Sequence, residues 1–298
     1  MEKIKAWLKA SRLPSQSYIF IPILFGQAWY VFQGNKLDWS ILALMTCFGL
    51  FDQLYIVYAN DYADMETDRR NTTYNIFSGG SRVLVDGDLN PEQLKKAAIN
   101  MAGLCIICGI MLTVFFQRGL AVPIIIVALG LLWLYSYPPA RISYRGAGEI
   151  LQMLGVGLVL PVFGYYAQSG SIHGFPFGLL PVILPTQLAC AMATSLPDEP
   201  SDRLSGKQTS TVLLGAKTTK YSILFLNAIS IASIPFVSWF SSGDIRMYLL
   251  LVIPFFAAFS KMFVINSGPG SFKLTVFVFL SVLITLSLMA GMTILFFL

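Results

Sequence analysis

Long apolar runs constrain this chain more than any other feature of its sequence. Stretches of about 20 mainly apolar residues, enough for a helix to cross a hydrocarbon layer of roughly 30 Å, recur along its length. No ten-residue alternation typical of a membrane β-barrel occurs. The sequence therefore predicts an all-α integral membrane bundle of nine transmembrane helices, in a single domain covering residues 1–298. The predicted spans are 15–33, 39–60, 95–116, 119–137, 147–168, 176–195, 220–240, 246–265 and 274–298.

The distribution of basic residues predicts the orientation of this bundle. With nine spans, the N-terminus and every second connection lie on one side, and all of the 20 Lys and Arg residues except Lys36, Arg118 and Arg246 fall there. Positive charge marks the cytoplasmic side. The sequence thus predicts a multi-pass protein of the cell membrane with a cytoplasmic N-terminus. Topology and anionic lipid explain the net charge of +5, and no nucleic-acid-binding module is present.

Two long connections on the predicted cytoplasmic side begin with acidic clusters. The first contains "NDYADMETD" from residue 60, and the second contains "PDEPSDRLSGK" from residue 197. Each cluster follows the second helix of a four-helix group, so Asp61 and Asp198 occupy equivalent places. This arrangement suggests a degenerate internal repeat, with halves of about 1–145 and 146–273 and a last helix at 274–298.

The spacing of the acidic residues indicates a metal site. Residues three and four apart share a helix face, and clustered carboxylates repel one another unless a cation neutralises them. Oxygen ligands without His or Cys favour magnesium, manganese or calcium, and Mg²⁺ usually completes its coordination with substrate phosphates. We therefore expect Mg²⁺ bound to a diphosphate. The candidate ligands are Asp61, Asp64 and Asp68, with Asn60 beside them, and Asp198 and Asp202 in the second cluster.

Basic and aromatic side chains near the acidic clusters suggest the rest of the substrate. Arginine and lysine can bind the phosphate oxygens that the metal leaves over, and aromatic faces can stabilise a carbocation. An isoprenyl diphosphate, with a charged head and an apolar tail, fits this combination. The alternative to a substrate-binding site is that these are ordinary solvated charges at helix ends, at the membrane interface. The basic candidates are Arg69, Arg70, Arg82, Arg141, Arg203 and Lys207, and the aromatic candidates are Tyr55, Tyr58, Tyr62, Trp133, Tyr135 and Tyr137.

These motifs resemble the UbiA superfamily of intramembrane prenyltransferases. Asn60, Asp61, Asp64 and Asp68 match its N-D-x-x-D-x-x-x-D motif, and Asp198 and Asp202 match its D-x-x-x-D motif. By the same resemblance, Tyr137 to Arg141 corresponds to the family's Y-x-x-x-K element, and Arg12 opens the first span as a diphosphate-binding residue. The segments "SGGSRVLVDGDLNPEQL", "YSYPPARISYRGAGE" and "LPDEPSDRLSGKQTSTVLLG" look most like 1,4-dihydroxy-2-naphthoate prenyltransferases of menaquinone synthesis. The resemblance implies a nine-helix bundle that binds Mg²⁺, a prenyl diphosphate and an aromatic acceptor.

Asp52 lies nine residues before Asp61 and deep in the second predicted span, where ionisable groups are costly and usually functional. We consider a buried packing acid and a contact with the aromatic acceptor as its two roles. For the whole protein, the alternatives to prenyl transfer are a terpene cyclase on the same scaffold and an ion-coupled transporter. Prenyl chain length, acceptor identity and oligomeric state stay open.

Overall fold

The computed structural model describes residues 2–237 and 245–298. Within these ranges the chain forms fourteen α-helices and no β-strand, which confirms the all-α fold class. The helices are α1 (Glu2–Ala10), α2 (Ser17–Phe32), α3 (Trp39–Ala63), α4 (Met65–Arg70), α5 (Pro91–Phe116), α6 (Ala121–Ser136), α7 (Gly148–Leu154), α8 (Leu160–Ser169), α9 (Leu180–Ser195), α10 (Glu199–Ser205), α11 (Ser210–Leu214), α12 (Ala216–Ser233), α13 (Ile245–Lys261) and α14 (Phe272–Phe297).

Several of these helices are long and apolar enough to cross a membrane. In the described part of the chain five helical segments meet this criterion, and two shorter apolar helices accompany them. The nine spans and the cytoplasmic N-terminus stay predictions, and residues 238–240 of the seventh predicted span lie outside the described residues. The five segments are Trp39–Ala63, Pro91–Phe116, Gly148–Ser169, Phe177–Ser195 and Phe272–Phe297, and the shorter ones are Ala121–Ser136 and Leu249–Val264.

The chain divides into two compact units. Unit 1 comprises Met1–Arg70, Gly79–Arg141 and Val159–Phe175. Unit 2 comprises Asn71–Ser78, Ile142–Leu158 and Pro176–Leu298. The two pseudo-repeat halves proposed from the sequence stay a prediction.

In unit 1, small residues bring the backbones of α2 and α8 together. A Cβ on Gly26 would overlap the carbonyl oxygen of Pro161, and a Cβ on Gly164 would overlap that of Ile23. Close approach at small residues is typical of helix pairs in membranes. Beside this contact the rings of Phe48 and Phe163 meet edge to face, with their centroids 5.0 Å apart. This packing holds α3, which carries the first acidic cluster at its C-terminal end, against a rigid core.

In unit 2, α9, α12 and α14 enclose an apolar core that includes Ala193, Ile223 and Phe277. The short helix α11 begins in contact with the start of α7, because the Glu149 carboxylate accepts hydrogen bonds from the Ser210 backbone amide at 2.7 Å and hydroxyl at 2.8 Å. This contact fixes the C-terminal end of the connection that carries the second acidic cluster.

Candidate functional site

The first acidic cluster lies where α3 ends and α4 begins. The helix is interrupted at Asp64, but the Asp64 amide donates to the Asn60 carbonyl at 2.8 Å, and the Asp68 amide donates to the Asp64 carbonyl at 2.8 Å. These hydrogen bonds keep the helical spacing across the interruption. Asn60, Asp64 and Asp68 are therefore four residues apart along one continuous series of backbone bonds.

Asp61 is buried and held by two partners from elsewhere in unit 1. Its side chain is only 4% exposed, it forms an ion pair with Arg12, and it accepts hydrogen bonds from the amide and hydroxyl of Ser81. Arg12 was expected to bind diphosphate, and the structure brings it to the acidic cluster. Ser81 is a residue that sequence reasoning missed. Its only signal was the glycine- and serine-rich segment at 78–87, which alone is weak evidence.

Asp64 and Asp68 are positioned by neighbouring polar groups. The Asn60 amide donates to Asp64 at 3.0 Å, and Asp64 is buried. The Arg82 guanidinium donates to the backbone carbonyl of Asp68 at 3.2 Å. Predicted ligands and two predicted diphosphate-binding arginines, Arg12 and Arg82, thus lie together in unit 1.

Gly80 allows the segment after α4 to lie against the acidic cluster. Its φ is +68°, and a Cβ at this position would overlap a carboxylate oxygen of Asp68 and lie 3.2 Å from Arg12 Nη2. A side chain there would therefore displace both charged groups. Glycine adopts this positive φ at no steric cost, and the close approach leaves no room for a Cβ.

Three predicted phosphate-binding arginines share an uncommon backbone conformation. Arg12, Arg82 and Arg141 have φ values of 43°, 65° and 43°, in the left-handed region that non-glycine residues rarely adopt. In the described residues, Gln117 is the other non-glycine residue with positive φ. Such conformations cost about 1–3 kcal/mol each and cluster at functional sites.

Tyr137 connects the end of α6 to the acidic end of α3. Its hydroxyl donates to the Ala59 carbonyl at 2.7 Å, directly before Asn60. The Arg141 amide donates to the Tyr137 carbonyl at 2.9 Å, which closes a turn around the two prolines between them. The predicted Tyr137 to Arg141 element is therefore tied to the helix that carries Asp61.

The second acidic cluster lies in unit 2 at the start of α10. Asp198 precedes the helix, and the Asp202 amide donates to the Asp198 carbonyl at 2.8 Å. Asp202 is 2% exposed, and the Lys207 amide donates to its carbonyl at 2.9 Å. Pro200 falls in the first turn of α10, where a helix has no partner for the missing amide hydrogen. The helix therefore forms despite this proline.

Asn71 is a second residue that sequence reasoning missed. It is 3% exposed, and its side-chain amide donates to the Asp198 carboxylate at 2.6 Å. Two residues later, the Thr73 hydroxyl donates to the Pro197 carbonyl at 2.6 Å. The residues after α4 thus position the second acidic cluster, which no local sequence pattern indicated.

Two of the predicted diphosphate-binding arginines point elsewhere. Arg69 is exposed and pairs with Glu66 at 3.1 Å, and Arg203 is exposed and pairs with Glu199 at 2.7 Å. Both pairs join residues three or four apart on one helix, where such contacts form easily. The structure therefore does not bring either arginine to a buried carboxylate, and their roles stay predictions.

Asp52 is enclosed within unit 1. It is 2% exposed, and its Oδ1 atom accepts no hydrogen bond from the described residues. The adjacent Gln53 donates to the Ser15 hydroxyl at 2.5 Å. Because Oδ1 accepts no hydrogen bond from the part of the chain that the structure describes, Asp52 has capacity for a further one. A buried oxygen without such a partner costs free energy.

The donor chemistry of the acidic clusters fits Mg²⁺. Carboxylate and amide oxygens are the hard ligands that this ion prefers. Within residues 2–237 and 245–298 no group of three or more His, Cys, Asp and Glu side chains is assembled to hold a metal ion. A cation bound at either cluster would therefore need oxygens from water or from a phosphorylated substrate.

The comparisons with known proteins agree with this chemistry. A family model described as the UbiA prenyltransferase family matches residues 19–283. The chain belongs to this family. It is 23% identical over 201 residues to the 1,4-dihydroxy-2-naphthoate octaprenyltransferase of Bacillus subtilis (strain 168), a match that covers 66% of this chain and 62% of that protein. It is 25% identical over 233 residues to the 2-carboxy-1,4-naphthoquinone phytyltransferase of Synechocystis sp., covering 76% of this chain and 71% of that protein.

A solved structure confirms the UbiA fold. The chain superposes on a UbiA homolog from Archaeoglobus fulgidus bound to GPP and Mg²⁺ with a TM-score of 0.69 and 16% identity. The similarity covers 98% of this chain and 99% of that one. The expected UbiA membership and its likeness to menaquinone-type enzymes are thus confirmed.

Proposed function

We propose that this UbiA-family protein transfers an isoprenyl group from a prenyl diphosphate to an aromatic quinone precursor resembling 1,4-dihydroxy-2-naphthoate. The observation that carries the proposal is the pair of acidic clusters, in which Asp61, Asp64 and Asp202 are buried and Asp198 is half-buried at the start of α10. Buried carboxylates in a membrane protein mark functional sites. The names of the curated relatives and the Mg²⁺ and GPP in the related structure support the same activity.

In the first cluster, the carboxylates would bind the cation and the arginines beside them would bind the diphosphate. Asp61, Asp64 and Asp68 would supply some of the oxygens for Mg²⁺, with water or diphosphate supplying the rest, and a bound Mg²⁺ would offset the negative charge of pyrophosphate. Because Asp61 already pairs with Arg12, that ion pair must open or be shared when the cation binds. The freed guanidinium of Arg12 would then bind diphosphate oxygens, together with Arg82.

The second cluster is proposed to bind Mg²⁺ and diphosphate in the same way. Asp198 and Asp202 supply carboxylates, Asn71 orients Asp198, and Lys207 supplies a cation near the end of α10. Lys207 is 8% exposed, so its charge would act in a poorly solvated environment.

The reaction itself would proceed through an allylic cation. The bond between the prenyl C1 and the diphosphate oxygen breaks, and its electron pair leaves with pyrophosphate. An electron-rich ring carbon of the acceptor then forms the new carbon–carbon bond, and the ring loses a proton, or carbon dioxide from a naphthoate. Tyr137 would present its ring to the cation, and Asp52 would accept a hydrogen bond from the acceptor.

We also propose that the protein is a multi-pass protein of the cell membrane and that its active site opens on the cytoplasmic side. The basis is the one-sided distribution of Lys and Arg. In a cysteine-free background, Asp88→Cys or Ser205→Cys should resist an impermeant thiol reagent in intact cells and react in inverted vesicles. The reverse pattern would overturn this orientation.

The function is tested by incubating purified protein with Mg²⁺, a series of prenyl diphosphates and a panel of quinone precursors. Mass spectrometry should detect a prenylated aromatic product together with equimolar pyrophosphate, and both should be lost on chelation of the metal. A hydrocarbon formed from prenyl diphosphate alone would instead indicate a terpene cyclase. Absence of pyrophosphate, with cation flux in liposomes, would indicate a transporter.

A further inference from the structure

A polar cleft lies in unit 2, where α12 begins and the chain leaves α13. Its volume is about 260 Å³, well above the roughly 10–15 Å³ that one water needs on the same measure. The cleft is therefore larger than a single ion requires. It is lined by Ala216, Lys217, Lys220 and Tyr221 from α12 and by Ile265, Asn266 and Ser267.

Two lysines place positive charge in this cleft. Lys220 is only 4% exposed, and its ammonium group donates to the Ile265 carbonyl at 2.9 Å, to the Ser267 carbonyl and to the Ser267 hydroxyl at 3.2 Å. These acceptors are neutral, so they fix the ammonium group without cancelling its charge. Among the described residues no carboxylate forms an ion pair with Lys217 or Lys220.

The N-terminal end of α12 adds to this charge. Gly215 precedes the helix, and no side chain caps its first turn. The uncapped amides at a helix N-terminus carry a partial positive charge and favour anions. The Lys220 charge, which its neutral acceptors leave uncancelled, and the uncapped helix end therefore both favour an anion in the cleft.

The surroundings of the cleft indicate which kind of anion it would bind. Lys217 and Tyr221 lie near the start of α12, whose residues from 220 onward belong to the seventh predicted span, so the headgroups of a bilayer are expected at this level. Tyr221 and Phe225 are four residues apart on one face of α12, and their side chains are 53% and 67% exposed. A ligand anchored in the cleft would thus have an apolar surface directly beside it.

We propose that this cleft binds the phosphate of an anionic phospholipid. The phosphate would contact Lys217 and the first amides of α12, with the Lys220 charge nearby, and an acyl chain would lie along Tyr221 and Phe225. Basic pockets between membrane helices bind anionic headgroups by this chemistry. The site lies apart in sequence from both acidic clusters and does not depend on the proposed transferase activity.

Lys217 is the residue to change, because its side chain is exposed and, unlike Lys220, it holds no backbone carbonyl in place. The control is Lys96→Gln, which removes an exposed lysine from the first turns of α5. Native mass spectrometry of the full chain with equimolar phosphatidylglycerol and phosphatidylcholine should show preferential retention of phosphatidylglycerol. Lys217→Gln should lower this preference about fivefold, the effect of one basic residue near an anionic lipid, and Lys96→Gln should leave it unchanged.

A second arm separates lipid from free phosphate. Inorganic phosphate, added to lipid-free protein, should not raise the melting temperature in a Lys217-dependent way. If it does so while phosphatidylglycerol is not retained, the cleft binds free phosphate and the lipid proposal is wrong. Equal retention of the two lipids by the wild type, or an unchanged preference in Lys217→Gln, would also overturn it.

Discussion

Gly80→Ala tests whether the segment after α4 must lie against the first acidic cluster. Alanine at φ +68° costs about 1–2 kcal/mol of backbone energy. The new Cβ would also overlap the Asp68 carboxylate and approach Arg12, so both charged groups would have to move. Because a misplacement of about 1 Å in a site can cost ~10²-fold in rate, turnover should fall by roughly 10-fold to 10²-fold.

Gly87→Ala is the matched control for this change. Gly87 also has a positive φ, +76°, but a Cβ there would meet nothing within 4 Å. Both variants should therefore lose thermal stability in detergent through the backbone cost, with a further loss in Gly80→Ala from the overlap with Asp68, while turnover with prenyl diphosphate falls only in Gly80→Ala. Equal turnover in the two variants would refute the argument that Gly80 positions Asp68 and Arg12.

Three further changes have separate expected outcomes. Arg141→Ala should raise the KM for prenyl diphosphate much more than that for the acceptor, and Arg141→Lys should retain more activity; equal effects on both KM values would contradict this role. Asp52→Asn should raise the KM for the acceptor alone, and unchanged kinetics would leave only the packing role. Burial lowers the pKa of Lys9, but hydrogen bonds and charges from Asp86 and Asp88 outweigh it and raise that pKa above its usual 10.5. The stabilisation from the contacts of Lys9 with Asp86 and Asp88 should therefore be complete below pH 10.5. It should be lost as the pH rises through the raised pKa of Lys9. Melting curves of Lys9→Met should lack this alkaline decrease.

The sequence was sufficient to predict the acidic positions, because their spacing follows helix geometry. Backbone hydrogen bonds from Asn60 to Asp64 and from Asp64 to Asp68 keep that geometry through the interruption after α3. Arg12 was also predicted as a site residue, through the resemblance to a family motif. Local periodicity and motif matching thus locate residues on or near regular helices.

Residues from the connection between α4 and α5 could not be predicted in the same way. Ser81 and Asn71 contact Asp61 and Asp198 because of the path of that connection, which no periodic pattern encodes. Arg69 follows Asp68 directly in the sequence but pairs with the exposed Glu66 one turn earlier, and its predicted role stays a prediction.

The structure also changes one stability expectation. From the sequence alone, mutually repelling carboxylates predict that neutral substitutions leave the metal-free protein equally or more heat-stable. Asp61, however, pairs with Arg12 and Ser81. Asp61→Asn should therefore lower the melting temperature of the metal-free protein, whereas Asp198→Asn keeps an oxygen that can accept from Asn71 and should be nearly neutral. The double variant should be hardly worse in turnover than either single one if the two clusters act as a unit.

The most direct test of the proposed function is the thermal shift produced by Mg²⁺ with pyrophosphate. A ligand at 100 times its Kd stabilises the folded state by about 2.7 kcal/mol, so the wild type should show a clear rise in melting temperature. Asp61→Asn and Asp198→Asn should each lose most of this rise, while Glu66→Gln, an exposed acid on α4, should keep it. Turnover measured on the same samples should fall on the order of 10²-fold or more in both Asn variants. Asn variants that keep the full shift and wild-type turnover would contradict the proposed Mg²⁺ site. The acidic residues would then be ordinary solvated charges at helix ends.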